Sequence, residues 1–460
     1  MLTLQFGQCG NQIGNKLYSK IIEDLKITRT SDSSVKNQDY VEDSKAKWFG
    51  SSKSGGIFAR AVLIDTENKV TNKIKKQKQD LWCYRSNNII SGDSSSGGSA
   101  NNWAYGYVKK GPEFDESVHE SIRNELELTD KVDTFFCLSG CAGGTGSGLG
   151  SYITQSVRDE YPKKNILSTL LLPFGSGEIA TQNYNTLLSL AKIIDSADML
   201  IIMENDKLNN ELTKSVNLKS HTVNFPNDIN DIACQKLLSI LQSANDVENN
   251  LINDVNYMVS KLVPHPAYKF TSIETIPLTL PSNNSNSLLD KSLWSVQKDT
   301  INWQTQFKYL RRNLLSSSLN EGNKFRSLAN VLITRGFNND KVKVNNKLVY
   351  NQRDDPFDCD ELIKNDIYAK LKWMTSYDKL RHFHQNRRFL NYDKLSSLIT
   401  NNSSVNKSLD GIVDKAWNSY TYGAFLHQYK KFELEDDDFL SAFTKIEAVI
   451  SSYNELERHS

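Results

Sequence analysis

Short apolar runs alternate with longer amphipathic stretches over about the first 245 residues of this 460-residue chain. Each run has the length of a strand and is apolar on both faces, as in the buried strands of parallel sheets. The predicted strands are Leu2–Phe6, Ala61–Asp65, Thr134–Leu138, Ile166–Leu172 and Met199–Met203. Because the stretches between them have helical spacing, we predict an α/β fold with helices covering a parallel sheet.

Apolar residues recur at spacings of three and four in the stretches predicted to be helical. The first stretch carries Ile13, Leu17, Ile21 and Leu25, and the last carries Phe439, Phe443, Ile446, Ile450 and Tyr453. Between them, helical patterns cover Gly150–Tyr161, Tyr184–Ile194 and Asn230–Gln242. The stretch Asn230–Gln242 is so rich in apolar residues that we predict a helix buried in the core.

Changes in the pattern divide the chain into four predicted parts. These are an α/β domain over 1–229, a core helix over 230–242, an intermediate α/β domain over 243–384 and a C-terminal helical region over 385–460. Polar stretches without hydrophobic periodicity are predicted to be surface loops or connections. They are Thr28–Ser54, Ser91–Ala100, Pro281–Ser287 and Asn401–Ser408.

Charge and cysteine content restrict the class of protein. Lys plus Arg (55) and Asp plus Glu (54) nearly cancel, so we expect neither nucleic acid nor a membrane as partner. The chain shows neither a signal peptide nor an apolar stretch of about 20 residues, so we expect a soluble, non-secreted protein. Six scattered cysteines fit reduced structural thiols of the cytosol better than a disulfide framework or a zinc site.

The glycine-rich segment Ala142–Gly150 lies between a predicted strand and a predicted helix. Its glycines allow the main chain to approach an anion closely, and the following helix N-terminus attracts negative charge. The hydroxyls of Thr145 and Ser147 are candidate donors to phosphate oxygens. The segment has no Walker lysine, and its spacing and position do not fit a dinucleotide fingerprint. A turn without ligand is the remaining alternative from the local pattern.

Several motifs around this segment resemble those of the tubulin superfamily, whose phosphate loop is Gly-Gly-Gly-Thr-Gly-Ser-Gly. The resembling segments are GQCGNQIG (Gly7–Gly14), ARAVLID (Ala59–Asp65), NNWAYGY (Asn101–Tyr107), QNYN (Gln182–Asn185), LVPHP (Leu262–Pro266) and AFLHQY (Ala424–Tyr429). They occur in order along essentially the whole chain, and several are most similar to the δ branch. The resemblance implies a tubulin-like fold with an N-terminal GTP-binding domain, a core helix, an intermediate domain and C-terminal helices.

The resemblance also assigns residues to a nucleotide site. Gln8, Cys9 and Gln12 would face the phosphates and the base, and Asn101 would reach the γ-phosphate. The phosphate loop would be Ala142, Gly143, Gly144, Thr145, Gly146 and Ser147. Asp65 would lie at the site, and Glu67 near a Mg²⁺ ion and its waters, which suits a cation that prefers oxygen ligands.

Other matched positions would bind the nucleoside. Glu178 and Gln182 correspond to ribose-contacting residues, with an amide replacing one carboxylate. Asn205 and Asn230 correspond to the two asparagines that read the guanine edge. Phe225, beside the matching Pro226, is the candidate for stacking on the base.

Hydrolysis is where the chain departs from the family pattern. In tubulins an acidic residue of the next subunit completes the site, on a helix that corresponds to Leu251–Lys261 here. Tyr257 occupies the matching position, and a tyrosine cannot polarise water as a carboxylate does. Asp254, one helical turn earlier, is a candidate catalytic residue acting on a neighbouring subunit. Capping or solvating its own helix is the alternative.

The implied cofactors are GTP or GDP and Mg²⁺, and the implied partners are α/β-tubulin or other tubulin-family subunits. Hydrolysis would be slow or dependent on a partner, and self-association stays open. The δ branch implies a cytoskeletal role at centrioles and basal bodies, in forming or stabilising triplet microtubules. A GTP-binding module that never hydrolyses nucleotide is one alternative. A dinucleotide-dependent enzyme is another, although the glycine spacing argues against it.

Two charged segments outside these motifs are given structural interpretations. His382 and His384 lack an evident third metal ligand, so RHFHQNRR is predicted to be a solvated basic loop. The acidic run Glu433–Asp438 precedes a predicted helix, where negative charge favours the positive end of the helix dipole.

Overall fold

A computed structural model shows how these segments fold. It describes residues 1–26, 34–51, 55–77, 81–92, 98–129, 131–177, 179–215, 225–246, 252–278, 302–316, 326–337, 341–344, 347–350, 356, 359, 362, 380–390 and 392–458. The segment Pro281–Ser287 lies outside the described residues.

The strands, numbered in chain order, are between two and ten residues long. They are β1 (Leu2–Phe6), β2 (Phe49–Ser51), β3 (Ile57–Ala59), β4 (Ala61–Asp65), β5 (Ile89–Ser91), β6 (Thr134–Gly140), β7 (Asn165–Leu172), β8 (Met199–Glu204), β9 (Asn245–Asp246), β10 (Phe270–Ile276), β11 (Ser327–Gly336), β12 (Lys341–Val344), β13 (Lys347–Tyr350), β14 (Leu380–Gln385) and β15 (Lys394–Asn402). The five predicted strands are thus confirmed as β1, β4, β6, β7 and β8, with ends within two residues of those predicted.

The helices are distributed along the whole chain. They are α1 (Gly7–Leu25), α2 (Ser34–Trp48), α3 (Asn68–Lys76), α4 (Gly111–Glu127), α5 (Gly150–Glu160), α6 (Gln182–Ser196), α7 (Asn205–Ser215), α8 (Asn227–Leu241), α9 (Val255–Leu262), α10 (Trp303–Ser316), α11 (Asn406–Thr421), α12 (Leu426–Lys430) and α13 (Asp436–Arg458). π-Helical turns at Tyr105–Lys110 and Thr145–Leu149 lead into α4 and α5. The acidic run ends in the first turn of α13, as predicted from the helix dipole.

Eleven of the described strands form one large sheet with the order β5-β4-β1-β6-β7-β8-β10-β15-β11-β14-β9, while β2 with β3 and β12 with β13 form separate two-stranded sheets. Neighbouring strands are parallel from β5 to β10, and then β15 pairs antiparallel with both β10 and β11. The parallel part matches the predicted α/β architecture. Because parallel strands all end at the same edge, five loops of the first part of the chain meet there.

Helices cover both faces of the sheet, as expected for strands buried on both sides. On one face, α4, α5, α6, α11 and α13 pack in a common apolar cluster with the sheet. On the other face, α1, α7, α8 and α9 form a second cluster with the sheet. Every residue described in α8 from Ile229 to Leu241 is buried, which confirms the predicted core helix.

The prediction of a surface loop over Thr28–Ser54 is wrong for its described part. That part forms α2 and β2, and Tyr40, Trp48 and Phe49 are buried. The segment has little hydrophobic periodicity, and contacts with residues that are distant in sequence hold it in place. The Trp48 indole Nε1 donates to Gln242 Oε1 at 3.1 Å, and the Lys47 ammonium donates to the Leu241 carbonyl. Of Ser91–Ala100, residues 93–97 lie outside the described residues.

The Asn/Ser-rich connection predicted at Asn401–Ser408 is instead the buried end of β15 and the start of α11. Polar composition misled the prediction because amide side chains here replace main-chain partners. Asn401 Nδ2 donates to the carbonyls of Leu262 and Tyr268, both at 2.7 Å. A buried amide satisfied in this way adds no penalty for desolvation.

Candidate functional site

A cavity of about 390 Å³ opens at the carboxyl edge of the parallel strands. The segments after β4, β1, β6, β7 and β8 line it, together with the first turn of α8. Those strands lie side by side in the sheet, so their loops converge although they are up to about 200 residues apart in sequence. Ligands of open α/β sheets bind at this edge.

The glycine-rich segment forms one wall of the cavity. Ala142, Gly143, Gly144, Thr145 and Gly146 all line it. The π-helical turn and α5 follow directly, so the positive end of a continuous helical segment is next to this wall. Main chain without bulky side chains at a helix N-terminus is suited to hold phosphate groups.

Other glycines of the same segment serve packing rather than the cavity. A Cβ atom on Gly148 would lie 2.2 Å from the Trp103 carbonyl oxygen, and one on Gly106 would lie 2.2 Å from the Gly144 carbonyl oxygen. The two π-helical turns therefore contact each other main chain to main chain. This contact explains why the glycine run continues beyond the residues that line the cavity, and why Gly106 belongs to the motif NNWAYGY.

The two hydroxyls of the loop are already hydrogen-bonded within the protein. Thr145 Oγ1 lies 2.5 Å from Thr66 Oγ1 and 3.1 Å from Ser99 Oγ. Ser147 is buried, its hydroxyl donates to the Gly143 carbonyl, and it does not line the cavity. Thr145 thus joins the cavity wall to the segment after β4, while the structure does not bring Ser147 to the cavity.

Asp65 and Glu67 place two carboxyl groups on the wall that follows β4. Burial, with a smaller contribution from the charge of Glu67, raises the pKa of the Asp65 carboxyl to about 7, although hydrogen bonds from the Glu67 and Thr66 amides and the Asn11 side chain oppose the rise. Glu67 is exposed and lies against Gly98, where a Cβ would be 2.0 Å from Glu67 Oε1. A bound cation would favour the charged form of both groups.

Asn185, which the sequence analysis did not assign to the site, fixes two of the cavity loops. Its Nδ2 donates to the carbonyls of Asn101 at 2.8 Å and Ala142 at 2.7 Å. Its Oδ1 accepts from the Trp103 amide at 2.9 Å and from the Tyr429 hydroxyl at 2.7 Å. This buried amide connects the QNYN, NNWAYGY and AFLHQY motifs, and their joint occurrence was the signal that could have revealed it.

Asn101 lines the cavity in a left-handed backbone conformation, with φ 51°. Asparagine tolerates this conformation better than most residues. The Asn185 side chain donates a hydrogen bond to the main-chain carbonyl of Asn101, and this bond does not use the Asn101 side chain. The predicted contact of Asn101 with the γ-phosphate stays a prediction.

The opposite end of the cavity carries amides and an aromatic ring. Asn230 Nδ2 lies 3.5 Å from Gln12 Oε1, and Asn205 begins α7 on the adjoining wall. Phe225 is 60% exposed, and its ring centroid lies 5.7 Å from that of Phe174. An exposed ring beside two amide side chains offers both a stacking surface and hydrogen-bonding groups to a planar base.

The remaining predicted residues have different positions. Gln8 and Cys9 line the cavity at the start of α1, and burial raises the pKa of the Cys9 thiol to about 12. Gln182 is buried outside the cavity lining, and its Nε2 donates to the Phe174 carbonyl at 2.8 Å. Glu178 lies outside the described residues.

The cavity also has wall residues that the sequence analysis missed. One is charged and the others are mainly apolar: Lys69, Val70, Leu171, Pro173, Ile179 and Ile229. The apolar residues resemble ordinary core positions in the sequence, so no pattern distinguishes them. Lys69 could have been found, because it follows Glu67 by two residues in a segment already assigned to the site.

Asp254 does not line the cavity. It is the exposed N-cap of α9, and its Oδ1 accepts a hydrogen bond from the Tyr257 amide at 2.6 Å. The Tyr257 ring packs edge-on against Phe383, with centroids 5.5 Å apart. The helix-capping alternative for Asp254 is thus realised in this chain. Its action on a neighbouring subunit stays a prediction.

The predicted basic loop at RHFHQNRR is wrong, because residues Leu380–Gln385 form β14 within the sheet. His382 and His384 both contact Thr334 Oγ1, at 2.8 Å and 2.9 Å. The parallel pairing of β14 with β11 explains why this charged segment forms a strand and not a loop. Across the part of the chain that the structure describes, there is no group of three or more His, Cys, Asp or Glu side chains placed to hold a metal ion.

Comparison with known proteins agrees with the fold and the cavity. Residues 1–213 match the GTPase domain of the Tubulin/FtsZ family. The chain is 34% identical to the tubulin delta chain of Canis lupus familiaris, over 98% of this chain and 99% of the relative, so it belongs to the tubulin family. Its similarity extends to the tubulin delta chains of Homo sapiens (32% identity, 98% and 99% coverage) and Mus musculus (31%, 99% and 99%).

Membership of this GTPase family implies that the chain binds GTP or GDP. None of the described helices is both long and apolar enough to cross a membrane.

Proposed function

We propose that the cavity binds a guanine nucleotide and that the chain works as a δ-tubulin-type cytoskeletal subunit. The observation that carries the proposal is the convergence of the loop Ala142–Gly146 with Asn205 and Asn230 in one cavity. The loop suits phosphate groups, and the two amides with Phe225 suit a guanine base. The cavity volume of about 390 Å³ is in the range of small-molecule sites.

Mg²⁺ fits the donor set of the same cavity. Asp65 and Glu67 supply carboxylate oxygens on one wall, next to the proposed phosphate position. Mg²⁺ is typically bound by one or two carboxylates, waters and substrate phosphates. We propose that Glu67 holds the ion, directly or through water, and that Asp65 stabilises it electrostatically. When bound, the ion would neutralise the phosphate charges.

We propose that GTP hydrolysis is slow in the isolated chain and is completed by a neighbouring tubulin-family subunit. The chain's own candidate for the acidic role, Asp254, is exposed on α9 and would act on a neighbour's nucleotide. Its carboxylate is already used as the N-cap of α9 and Tyr257 is packed against Phe383. These contacts favour the second candidate function, a GTP-binding structural module that does not hydrolyse nucleotide.

The similarity to tubulin delta chains supports a proposal for the cellular role. We propose that the chain associates with α/β-tubulin or related subunits at centrioles and basal bodies, and helps to form or stabilise triplet microtubules. Support for this role comes from the full-length similarity.

The first experiment identifies the nucleotide that the purified protein carries. Protein denatured after purification is expected to release GTP in nearly one copy per chain, because the isolated chain hydrolyses it slowly. Chromatography against guanine, adenine and nicotinamide nucleotide standards gives the measurement. Bound GDP would show that turnover has occurred without a partner, and a bound nicotinamide or flavin nucleotide would exclude the proposed site.

Turnover then separates the two candidate functions. Adding α/β-tubulin is expected to raise GTP hydrolysis, whereas raising the concentration of this protein alone is expected to leave the specific rate nearly unchanged. The variant D254N keeps an oxygen for the helix cap but loses the charge. If α/β-tubulin does not raise the rate of GTP hydrolysis, the non-hydrolysing module replaces the proposal. If α/β-tubulin stimulates the wild type and D254N equally, Asp254 is not the catalytic residue and the acidic group comes from the partner.

A further inference from the structure

Lys69 carries the one cationic side chain in the described lining of the cavity. It lies in the first turn of α3, two residues after Glu67, and is exposed. The other charged lining residues are the carboxylates Asp65 and Glu67. A cation on this wall would therefore oppose the repulsion that the two carboxylates exert on a polyphosphate.

The charge of Lys69 is not neutralised by its neighbours. Lys69 makes no hydrogen bond or ion pair with the residues that the structure describes. The basic residues of α1 provide a contrast, because Lys16 and Lys20 lie 2.7 Å and 2.5 Å from the carboxylate of Asp231. Lys69 is thus available to an anion in the cavity, whereas those two lysines are engaged in ion pairs.

The strand order indicates which part of a nucleotide Lys69 would meet. Asn205 follows β8, the phosphate loop follows β6, and Lys69 lies beyond β4 on the opposite side of the loop. Four strand spacings of ~4.8 Å separate β4 from β8, or roughly 19 Å. With the base at Asn205 and the inner phosphates at the loop, the chain of phosphates extends towards β4.

Contacts between the loops agree with this direction. Thr66, three residues before Lys69, forms a hydrogen bond through its hydroxyl with the hydroxyl of Thr145 in the phosphate loop. Asn101 also lines this end, and the Ser99 hydroxyl near it donates to Thr66 at 3.1 Å. Lys69 therefore belongs to the wall beyond the inner phosphates.

We propose that Lys69 binds the terminal phosphate of a nucleoside triphosphate and makes the cavity favour GTP over GDP. The inference rests on the proposed guanine-nucleotide function and adds a specificity-determining residue to it. GDP lacks the terminal phosphate, so an ammonium group placed beyond the inner phosphates binds the triphosphate selectively. A lysine contributes here as a point charge with three donors.

The test compares the affinities of GTP and GDP for full-length protein from which nucleotide has been removed. Titration calorimetry with Mg²⁺ present is done on the wild type, on K69Q and on K69R. A charged hydrogen bond contributes ~1.5–3 kcal/mol, so loss of Lys69 is expected to weaken GTP binding by about 10-fold or more. The affinity of K69Q for GDP is expected to stay within about 2-fold of that of the wild type. K69R is expected to retain most of the wild-type preference for GTP.

Lys73 provides the matched control. It is exposed on the same helix, one turn further on, and does not line the cavity. K73Q makes the same change in net charge, so it reports the long-range electrostatic effect alone, and both affinities are expected to stay near those of the wild type. Increasing salt should lower the ratio of GTP affinity to GDP affinity in the wild type and leave this ratio nearly constant in K69Q.

The outcomes separate this inference from the proposed function. Lys69 does not bind the terminal phosphate if K69Q weakens the binding of GTP and of GDP equally, or weakens neither. The same conclusion holds if K69Q and K73Q have the same affinities for both nucleotides. In each of those cases wild-type affinity for guanine nucleotides leaves the proposed function intact. Wild-type protein that binds neither GTP nor GDP would overturn the proposed function and this inference with it.

Discussion

His382 shows how one half-buried side chain makes the stability of the fold depend on pH. Its Nε2 lies 2.8 Å from Thr334 Oγ1 and its Nδ1 lies 3.7 Å from the Cys359 sulfur. Desolvation, with a smaller contribution from the neighbouring His384, lowers the pKa of the imidazole to about 3. A histidine in the unfolded chain has a pKa of ~6.5, so protons bind preferentially to the unfolded state between these two values.

Replacing this histidine is expected to make stability less sensitive to acid. The contribution of neutral His382 is fully present above pH ~6.5 and is lost as the pH falls towards about 3. Between pH 7 and pH 5 the wild type should lose about 1–2 kcal/mol of unfolding free energy through this group, after allowance for its partial exposure. His382→Gln should lose correspondingly less, as measured by urea unfolding at both pH values.

The exposed His427 serves as the control residue for this experiment. His427→Gln should leave the difference between the two pH values as it is in the wild type. Equal pH dependence of His382→Gln and the wild type would show that the imidazole titrates freely in the folded protein.

Single residues of the cavity were predictable where they belong to a motif at the end of a strand. Gln12, Asn205 and Asn230 reach the same cavity because their segments meet at one edge of the sheet. Ser147 was misplaced because the local sequence does not tell whether a loop hydroxyl faces the ligand or its own main chain. Asn185 was missed because its role exists only when three distant segments meet.

At the scale of elements, Arg335 is one of several distant side chains that contact the end of the core helix α8. The guanidinium of Arg335, in β11, donates to the carbonyls of Ser239 at 2.9 Å, Gln242 at 2.5 Å and Ser243 at 3.0 Å. The side chain is only 1% exposed. The last carbonyls of a helix have no partner inside it, and here they are buried, so Arg335 satisfies groups that water cannot reach.

Removing this cap is expected to destabilise the protein strongly. Arg335→Met keeps much of the side-chain volume but removes the guanidinium donor from all three carbonyls, of which that of Gln242 keeps its hydrogen bond from Asn253. We expect the free energy of unfolding to fall by about 3–5 kcal/mol, measured by denaturant titration. Arg335→Lys should recover part of the loss, because one ammonium group cannot reach three carbonyls in the same geometry.

Arg388 is the comparison for this effect. It is 41% exposed and lies 2.7 Å from Asp393 in a surface ion pair. Arg388→Met should cost no more than about 1 kcal/mol. If the two methionine variants are equally stable, the guanidinium of Arg335 does not cap α8 to any useful extent.

Elements with regular hydrophobic spacing were predictable, and α2 was not. The strands β1 and β4 were predicted with their observed ends, because each is a short apolar run between polar segments. Helix α2 has few apolar positions, and its order depends on the contacts of Lys47 and Trp48 with the end of α8. Such contacts are invisible to any pattern that is read locally.

For the whole molecule, nucleotide binding and folding are linked because the cavity walls belong to the same sheet as the later strands. The loops after β1, β4, β6, β7 and β8 form the cavity, and β8 pairs with β10. The first turn of α8 lines the cavity through Asn230, and the helix packs on the sheet along its length. A ligand that binds only the folded state stabilises this entire structure.

Thermal unfolding is therefore expected to shift upwards with GTP. At a GTP concentration 100-fold above the dissociation constant the gain is ~2.7 kcal/mol, and it increases with the logarithm of concentration. Scanning calorimetry with GTP and, separately, with the same concentration of ATP measures the effect. A shift that is as large with ATP as with GTP would contradict guanine selectivity at Asn205 and Asn230.

The parallel sheet was predictable for the first part of the chain, and the continuity of the sheet was not. Alternation of apolar runs and helical patterns is enough to indicate parallel strands covered by helices. The antiparallel pairing of β15 with β10 and β11 joins strands from separate parts of the sequence. No local pattern encodes which strands become neighbours over such distances.

The cap on α8 also has a consequence for the time course of synthesis. Ser239 and Arg335 are 96 residues apart in sequence, so the ribosome must add those residues before the guanidinium exists. At ~5–20 residues per second this takes about 5–20 s, and further time passes before Arg335 leaves the exit tunnel. During that interval the nascent chain presents the end of an apolar helix without the guanidinium of Arg335. Newly made chains should therefore be most vulnerable to aggregation and proteolysis after the nucleotide-binding segment has emerged and before translation reaches β11.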